Sequence, residues 1–139
     1  MTRAAKKIKR RFYAPVANFI GMTLESAERG RSVVSLKAKC HHENSVGTVH
    51  GGILCDLSDA AMGYAFESIL PQERRGVTVE FKINFLRPAC AGDQLCAKAW
   101  ILSHGKSMYY LECEIRNAKR DLIAKAACTC KILSVRKVV

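Results

Sequence analysis

Residues 44–59 read Asn-Ser-Val-Gly-Thr-Val-His-Gly-Gly-Ile-Leu-Cys-Asp-Leu-Ser-Asp, a loop that feeds the start of an apolar, alanine-rich segment with helical period. The leading N–H groups of a helix have no partner within it, and the helix dipole makes them attractive to negative charge. Glycine at that point lets a ligand approach the backbone. The N–H groups of Gly51 and Gly52 are thus placed to polarise a carbonyl and to hold an oxyanion as it forms. Asp59, nine residues after His50, falls about two turns along the same helix at roughly 1.5 Å rise per residue. A carboxylate there can act as a nucleophile or as a general base toward water. A plain tight turn followed by a solvated helix acid fits the same residues, and the spacing alone leaves both readings open.

The pattern Asn-x-x-Gly-x-x-His-Gly-Gly, with Asp59 following, closely resembles the hotdog-fold acyl-CoA thioesterases of the PaaI-like branch. The resemblance runs from about residue 18 to residue 133 and takes in Phe19-Ile20-Gly21-Met22, the Gly-Tyr-Ala run at 63–65, Phe85-Leu86-Arg87-Pro88-Ala89 and Ala91-Gly92-Asp93. These motifs specify the fold more closely than the substrate.

Carried over by position, the resemblance implies that Asp59 is the nucleophile or general base and that the Gly51 N–H polarises a thioester carbonyl. Asn44 would place the attacking water or the thioester, His50 would buttress the loop, and Thr78 would stand near the water. Gly52 and Tyr64 would contact substrate, while Arg87 and Lys106 would hold the phosphates of coenzyme A, as Arg and Lys do elsewhere. As plain residues, Arg87 and Lys106 are equally turn positions facing solvent, and Tyr64, Met62 and Phe66 fit an ordinary core. The family's site lies between two subunits, so a homo-oligomer is implied, a dimer with shared sites that pairs into a tetramer, and a lone protomer should be inactive. No cofactor and no metal are implied.

The elements that must position these groups form an α+β pattern, strands and one long helix without βαβ alternation. A short helical lead-in at 16–20 precedes strands at 22–28 and 31–39, joined by Arg29-Gly30. One long helix is expected from Ile53 to about Ile69, closed by Leu70-Pro71. Its apolar residues nearly encircle it, so it must be buried on most sides. Strands are expected at 76–86, 94–103, 107–117 and 122–135, with turn residues between them that suit antiparallel neighbours. In the first of these, Val77, Val79, Phe81, Ile83 and Phe85 alternate with Thr78, Glu80, Lys82 and Asn84, which places the two sets on opposite faces. An antiparallel sheet curved around a central helix, the hotdog arrangement, satisfies all of these patterns. Asp56, one turn before Asp59 and about 60° away around the axis, reads as a solvated helix residue, Glu67 as a surface acid and His104 as a turn residue.

With 139 residues, 49% of them hydrophobic, the chain has the length of one domain, expected over 15–139 behind a basic tail at 1–14. No apolar run approaches the 18 residues that span a bilayer. Seven cysteines, an odd number without framework spacing, suit a reducing cytoplasm. Cys128 and Cys130 alternate along one strand and share a face. Cys40, His41 and His42 lack a second ligand pair at zinc spacing.

The net charge of +11 is uneven: six of 23 basic residues lie in the first eleven positions, and no acid precedes Glu25. That arm fits a solvated tail, contact with nucleic acid or an anionic membrane, an organelle presequence, or added attraction for a polyanionic ligand such as coenzyme A. Two other functions share the fold. A noncatalytic acyl-CoA sensor would not need Asp59, and the arm is too short to form a helix-turn-helix with its own core. A hydratase would carry a different active-site run. No stable nucleic-acid or membrane partner is expected.

Overall fold

The computed structural model describes Phe12 and residues 14–134. Most of the basic arm expected at 1–14, and residues 135–139, lie outside the described residues. Helix α1 (Pro15–Ile20) starts with proline at its head and closes at Gly21, whose φ of 94° is the left-handed conformation that glycine adopts freely. Strands β1 (Met22–Glu28) and β2 (Arg31–Lys37) follow, then a single 3₁₀ turn at Cys40–His42 and the long helix α2 (Gly51–Glu67). Four strands complete the chain: β3 (Arg75–Phe85), β4 (Gln94–His104), β5 (Met108–Arg116) and β6 (Leu122–Leu133).

The six strands form one antiparallel sheet in the order β1-β2-β4-β5-β6-β3. Helix α2 lies against its inner face, where Leu57, Ala61, Met62, Ala65 and Phe66 meet the inward residues of the central strands, among them Val34, Leu95, Leu111, Ile115 and Cys128. This is the expected sheet wrapped around one buried helix. Each buried aliphatic or aromatic side chain contributes about 1.5–3 kcal/mol relative to exposure. The helix therefore owes its position to packing far more than to propensity.

Helix α2 starts two residues before the expected Ile53, because His50 caps it: its Nδ1 accepts the Gly52 N–H at 2.9 Å. It ends at Glu67 rather than Ile69, because Ser68 turns the chain. The Ser68 hydroxyl donates to the Ala65 carbonyl at 2.7 Å and accepts the Gly30 N–H at 2.8 Å, which pins the helix end to the β1–β2 turn.

Strand β3 departs from the expected alternation. Thr78 pairs with Cys130 and Glu80 with Thr129, so Val79 is an extra residue, a β-bulge. Cross-strand partners share a face. Cys130 is buried against the helix, so Thr78 faces inward with Phe81 and Ile83, and Val77 turns outward opposite Lys131. Uninterrupted alternation would have put Thr78 on the outer face.

Candidate active site

Three of the expected residues line one cleft. Asn44, Gly51 and Arg87 surround a cavity of about 360 Å³ together with Phe85, Leu86 and Pro88. Asn44 shapes the loop on its near side by folding onto itself. Its Oδ1 accepts the N–H groups of Val46 and Thr48 at 3.0 and 3.1 Å, and its Nδ2 donates to the Thr48 hydroxyl at 2.9 Å. An Asx turn of this kind fixes a loop without any help from regular structure. The loop is anchored from below by His42, whose carbonyl accepts the His50 N–H at 2.8 Å and whose ring bridges the Lys39 N–H and the Ile20 carbonyl.

At the head of α2 the two glycines differ. The Gly52 N–H is occupied by the His50 ring, whereas the Gly51 N–H has no partner among the described residues. Gly51 opens into the cleft beneath the Phe85 ring, which stands 3.0 Å from where a Cβ on Gly51 would lie. The helix N-terminus thus presents one unengaged donor, at the positive end of the dipole, against an apolar wall.

Asp59 stands elsewhere. Eight residues separate it from Gly51, about 12 Å of helix axis. Its Oδ1 accepts the Thr78 hydroxyl at 3.2 Å, a contact that the Val79 bulge creates by turning Thr78 toward the helix. Asp59 and Thr78 are both exposed on the single protomer. Even so, enough protein walls the carboxyl that desolvation raises its pKa; the Thr78 hydrogen bond works against this, and the negative charge of Asp56 adds to it. Behind Thr78, Cys130 Sγ lies 3.8 Å from its hydroxyl and 3.7 Å from Cys128 Sγ.

The remaining expected residues are not gathered at this point. Tyr64 is buried, stacks edge-on against Phe12 and lines a separate cavity with α1 and β1. Lys106 sits exposed on the β4–β5 turn, and neither it nor Arg87 forms an ion pair among the described residues. Phe85, which roofs Gly51, and Cys130, which backs Thr78, were not singled out as site residues from sequence. Only the register of β3 against β6 reveals the second.

The sequence pattern of the Thioesterase superfamily matches residues 46–124, more than half of the chain. The chain belongs to the thioesterase superfamily. Within it, the chain is 33% identical over 107 residues to acyl-coenzyme A thioesterase 13 of Homo sapiens, covering 75% of this chain and 74% of that one. It is 33% identical over 108 residues to the acyl-coenzyme A thioesterase PaaI of Escherichia coli, covering 78% and 75%. The solved structure of E. coli PaaI, from the phenylacetic acid degradation operon, superimposes with a TM-score of 0.84 at 28% identity over 94% of this chain and 91% of that one. The smu.793 protein of Streptococcus mutans, solved bound to acetyl CoA, superimposes with a TM-score of 0.77 at 25% identity over 86% and 94%. The fold is therefore the hotdog fold of PaaI-like thioesterases, and the protein is a thioester hydrolase. No helix among the described residues is long and apolar enough to cross a membrane.

Proposed function

We propose that this thioesterase hydrolyses acyl-CoA, with Asp59 as nucleophile or general base, Thr78 holding its carboxylate, and the Gly51 N–H polarising the thioester carbonyl. The observation that carries the reading is the pairing of Thr78 with Asp59 at 3.2 Å, built by the strand bulge at Val79. The names and bound ligand of the relatives support coenzyme A as the leaving group. In the reaction, a carboxylate oxygen or the water it deprotonates attacks the thioester carbon. Negative charge grows on the carbonyl oxygen against the helix N-terminus, and the C–S bond then breaks to release the thiolate. Attack by water gives the free acid at once, its proton passing through Asp59 to the thiolate, whereas direct attack leaves an acyl–Asp59 anhydride that water then hydrolyses.

Asp59 and Gly51 stand about 12 Å apart along one helix, too far to meet on one carbonyl. A site between two subunits, with Asp59 from one and Gly51 and Asn44 from the other, resolves the distance. Edge strand β3 supports that assembly, since Val79 and Phe85 are 51% and 54% exposed beside unpaired backbone. A dimer through β3, and a tetramer of two such dimers, follows from this reading. Arg87, on the rim of the Gly51 cleft, and Lys106 would meet the phosphates of coenzyme A. Seven unpaired cysteines support a reducing, cytoplasmic setting.

The test is hydrolysis of phenylacetyl-, hydroxybenzoyl- and straight-chain acyl-CoAs by wild type and Asp59→Asn, followed by chromatography because the protein's own thiols react with thiol dyes. Turnover in wild type that disappears in the variant supports the reading. Binding without hydrolysis by wild type would replace it with a noncatalytic sensor.

A further inference from the structure

The buried sulfurs behind Thr78 have no part in thioester hydrolysis. Cys128 and Cys130 are 2% and 1% exposed and point to the same side of β6, and their Sγ atoms touch at 3.7 Å. Cys130 also touches the Thr78 hydroxyl at 3.8 Å, and that hydroxyl holds Asp59 at 3.2 Å. One line of contacts therefore joins the dithiol to the carboxylate. On the single protomer its outer end, Thr78 and Asp59, is exposed, so a small neutral molecule admitted to the proposed substrate cleft beside Asp59 stands one residue away from Cys130.

We propose that Cys128 and Cys130 are a modification site, a dithiol that hydrogen peroxide or another small hydroperoxide converts to a disulfide, and that closing it disables Asp59 by drawing the support from Thr78. Cys130 is the attacking sulfur. Its thiolate attacks a peroxide oxygen, the O–O bond breaks, hydroxide leaves and is protonated to water, and Cys130 becomes a sulfenic acid. The sulfur of Cys128 then attacks Cys130, the S–O bond breaks, a second water leaves, and the S–S bond forms. Two thiols give up two electrons and one peroxide becomes two waters.

The roles of the two sulfurs follow from their surroundings. Cys130 is the sulfur in contact with Thr78, on the side nearer Asp59. Its contact with Cys128 lowers its pKa, burial and the charge of Asp59 oppose the lowering, and the Thr78 hydroxyl adds to it. Residues two apart on a strand have Cα atoms about 6.6–6.8 Å apart, the upper end of the disulfide range, and near-parallel Cβ vectors, so closing the bond requires β6 to bend locally. The bond is therefore strained and readily reduced, as befits a reversible modification. To form it, Cys130 Sγ must leave its contact with Thr78 and approach Cys128 to about 2.05 Å.

The effect on turnover rests on Asp59 and Thr78 being the reacting pair, whereas formation of the bond does not. The test treats the whole protein with hydrogen peroxide and follows two readouts. In the first, the tryptic peptide 126–131, which holds both cysteines, should lose two hydrogens in mass and regain them with dithiothreitol. In the second, acyl-CoA turnover should fall and recover in parallel, by about tenfold or more, since a misplacement of about 1 Å can cost 10²-fold. Cys130→Ala, compared with its own untreated rate, should lose the response. Oxidation confined to exposed Cys40 and Cys90, with peptide 126–131 unchanged, overturns the proposal, as does a closed disulfide with undiminished turnover. Failure of the hydrolysis reading shows itself separately, as Asp59→Asn retaining activity before any peroxide is added.

Discussion

The hydroxyl of Thr78 donates to Oδ1 of Asp59 at 3.2 Å, joining an edge strand to the middle of the buried helix. Without the extra residue at Val79 in the expected alternation, Thr78 would lie on the far side of the sheet. The first consequence concerns Asp59 itself. Asp59→Asn keeps the shape and removes the charge, so turnover should fall by about 10²–10⁴-fold, the range for a positioned acid or base. Circular dichroism should remain that of wild type, and steady-state hydrolysis of the best acyl-CoA is the measurement.

The acid limb of kcat/KM should lie above the ordinary aspartate value of 3.8, because desolvation raises the Asp59 pKa and the carboxylate is the working form in the proposed reaction. Thr78→Val removes the hydrogen bond that lowers it and should move the limb to higher pH. Asp56→Asn removes a repelling charge and should move it to lower pH. The stability effect has the opposite benefit. A raised pKa means that the folded chain holds a proton which the unfolded chain has released, so stability is lost as pH rises from 3.8 through the raised value. At neutral pH, Asp59→Asn should therefore melt at a higher temperature than wild type, as a scan of Tm against pH would show.

Gly51→Pro isolates the backbone donor. Gly51 is the first residue of α2, where proline is tolerated, and His50 at ψ 135° has the extended backbone that a following proline requires. The variant should fold and lose about 10²–10³ in kcat, the usual cost of one oxyanion donor. Gly51→Ala retains the N–H and meets only the Phe85 ring at 3.0 Å. It should lose less, and the comparison of the two rates separates donor from crowding.

Asn44 holds its loop with three hydrogen bonds from one side chain. Asn44→Ala should speed hydrogen exchange at the Val46 and Thr48 amides while leaving the amides of β6 protected. Equal exchange in both proteins would mean that Asn44 does not set the loop.

Much of this arrangement was legible in the sequence because two periods dominate it. Tyr109, Leu111, Cys113 and Ile115 alternate as a half-buried strand should, and they face the helix as expected. The nearly all-round apolar character of residues 53–69 marked the central helix, and only its ends moved, by the His50 cap and the Ser68 turn. The Val79 bulge was hidden because Val77, Val79 and Phe81 continue an apolar alternation straight through it. No local signal distinguishes that run from a regular strand; the partner strand decides the register. The same holds for Asn44. Its residue type announced a turn or a ligand contact, but the use of its amide within its own loop depends on where Val46 and Thr48 fall.

The separation of Gly51 and Asp59 along one rigid helix has a genetic consequence on the proposed two-subunit site. Two defective alleles, one encoding Asp59→Asn and one encoding Gly51→Pro, would each yield a homodimer with turnover reduced by about 10²-fold or more. Co-expressed, they would assemble mixed dimers in which one site inherits both lesions and the other inherits none. A cell carrying both alleles would recover activity that neither allele supplies alone.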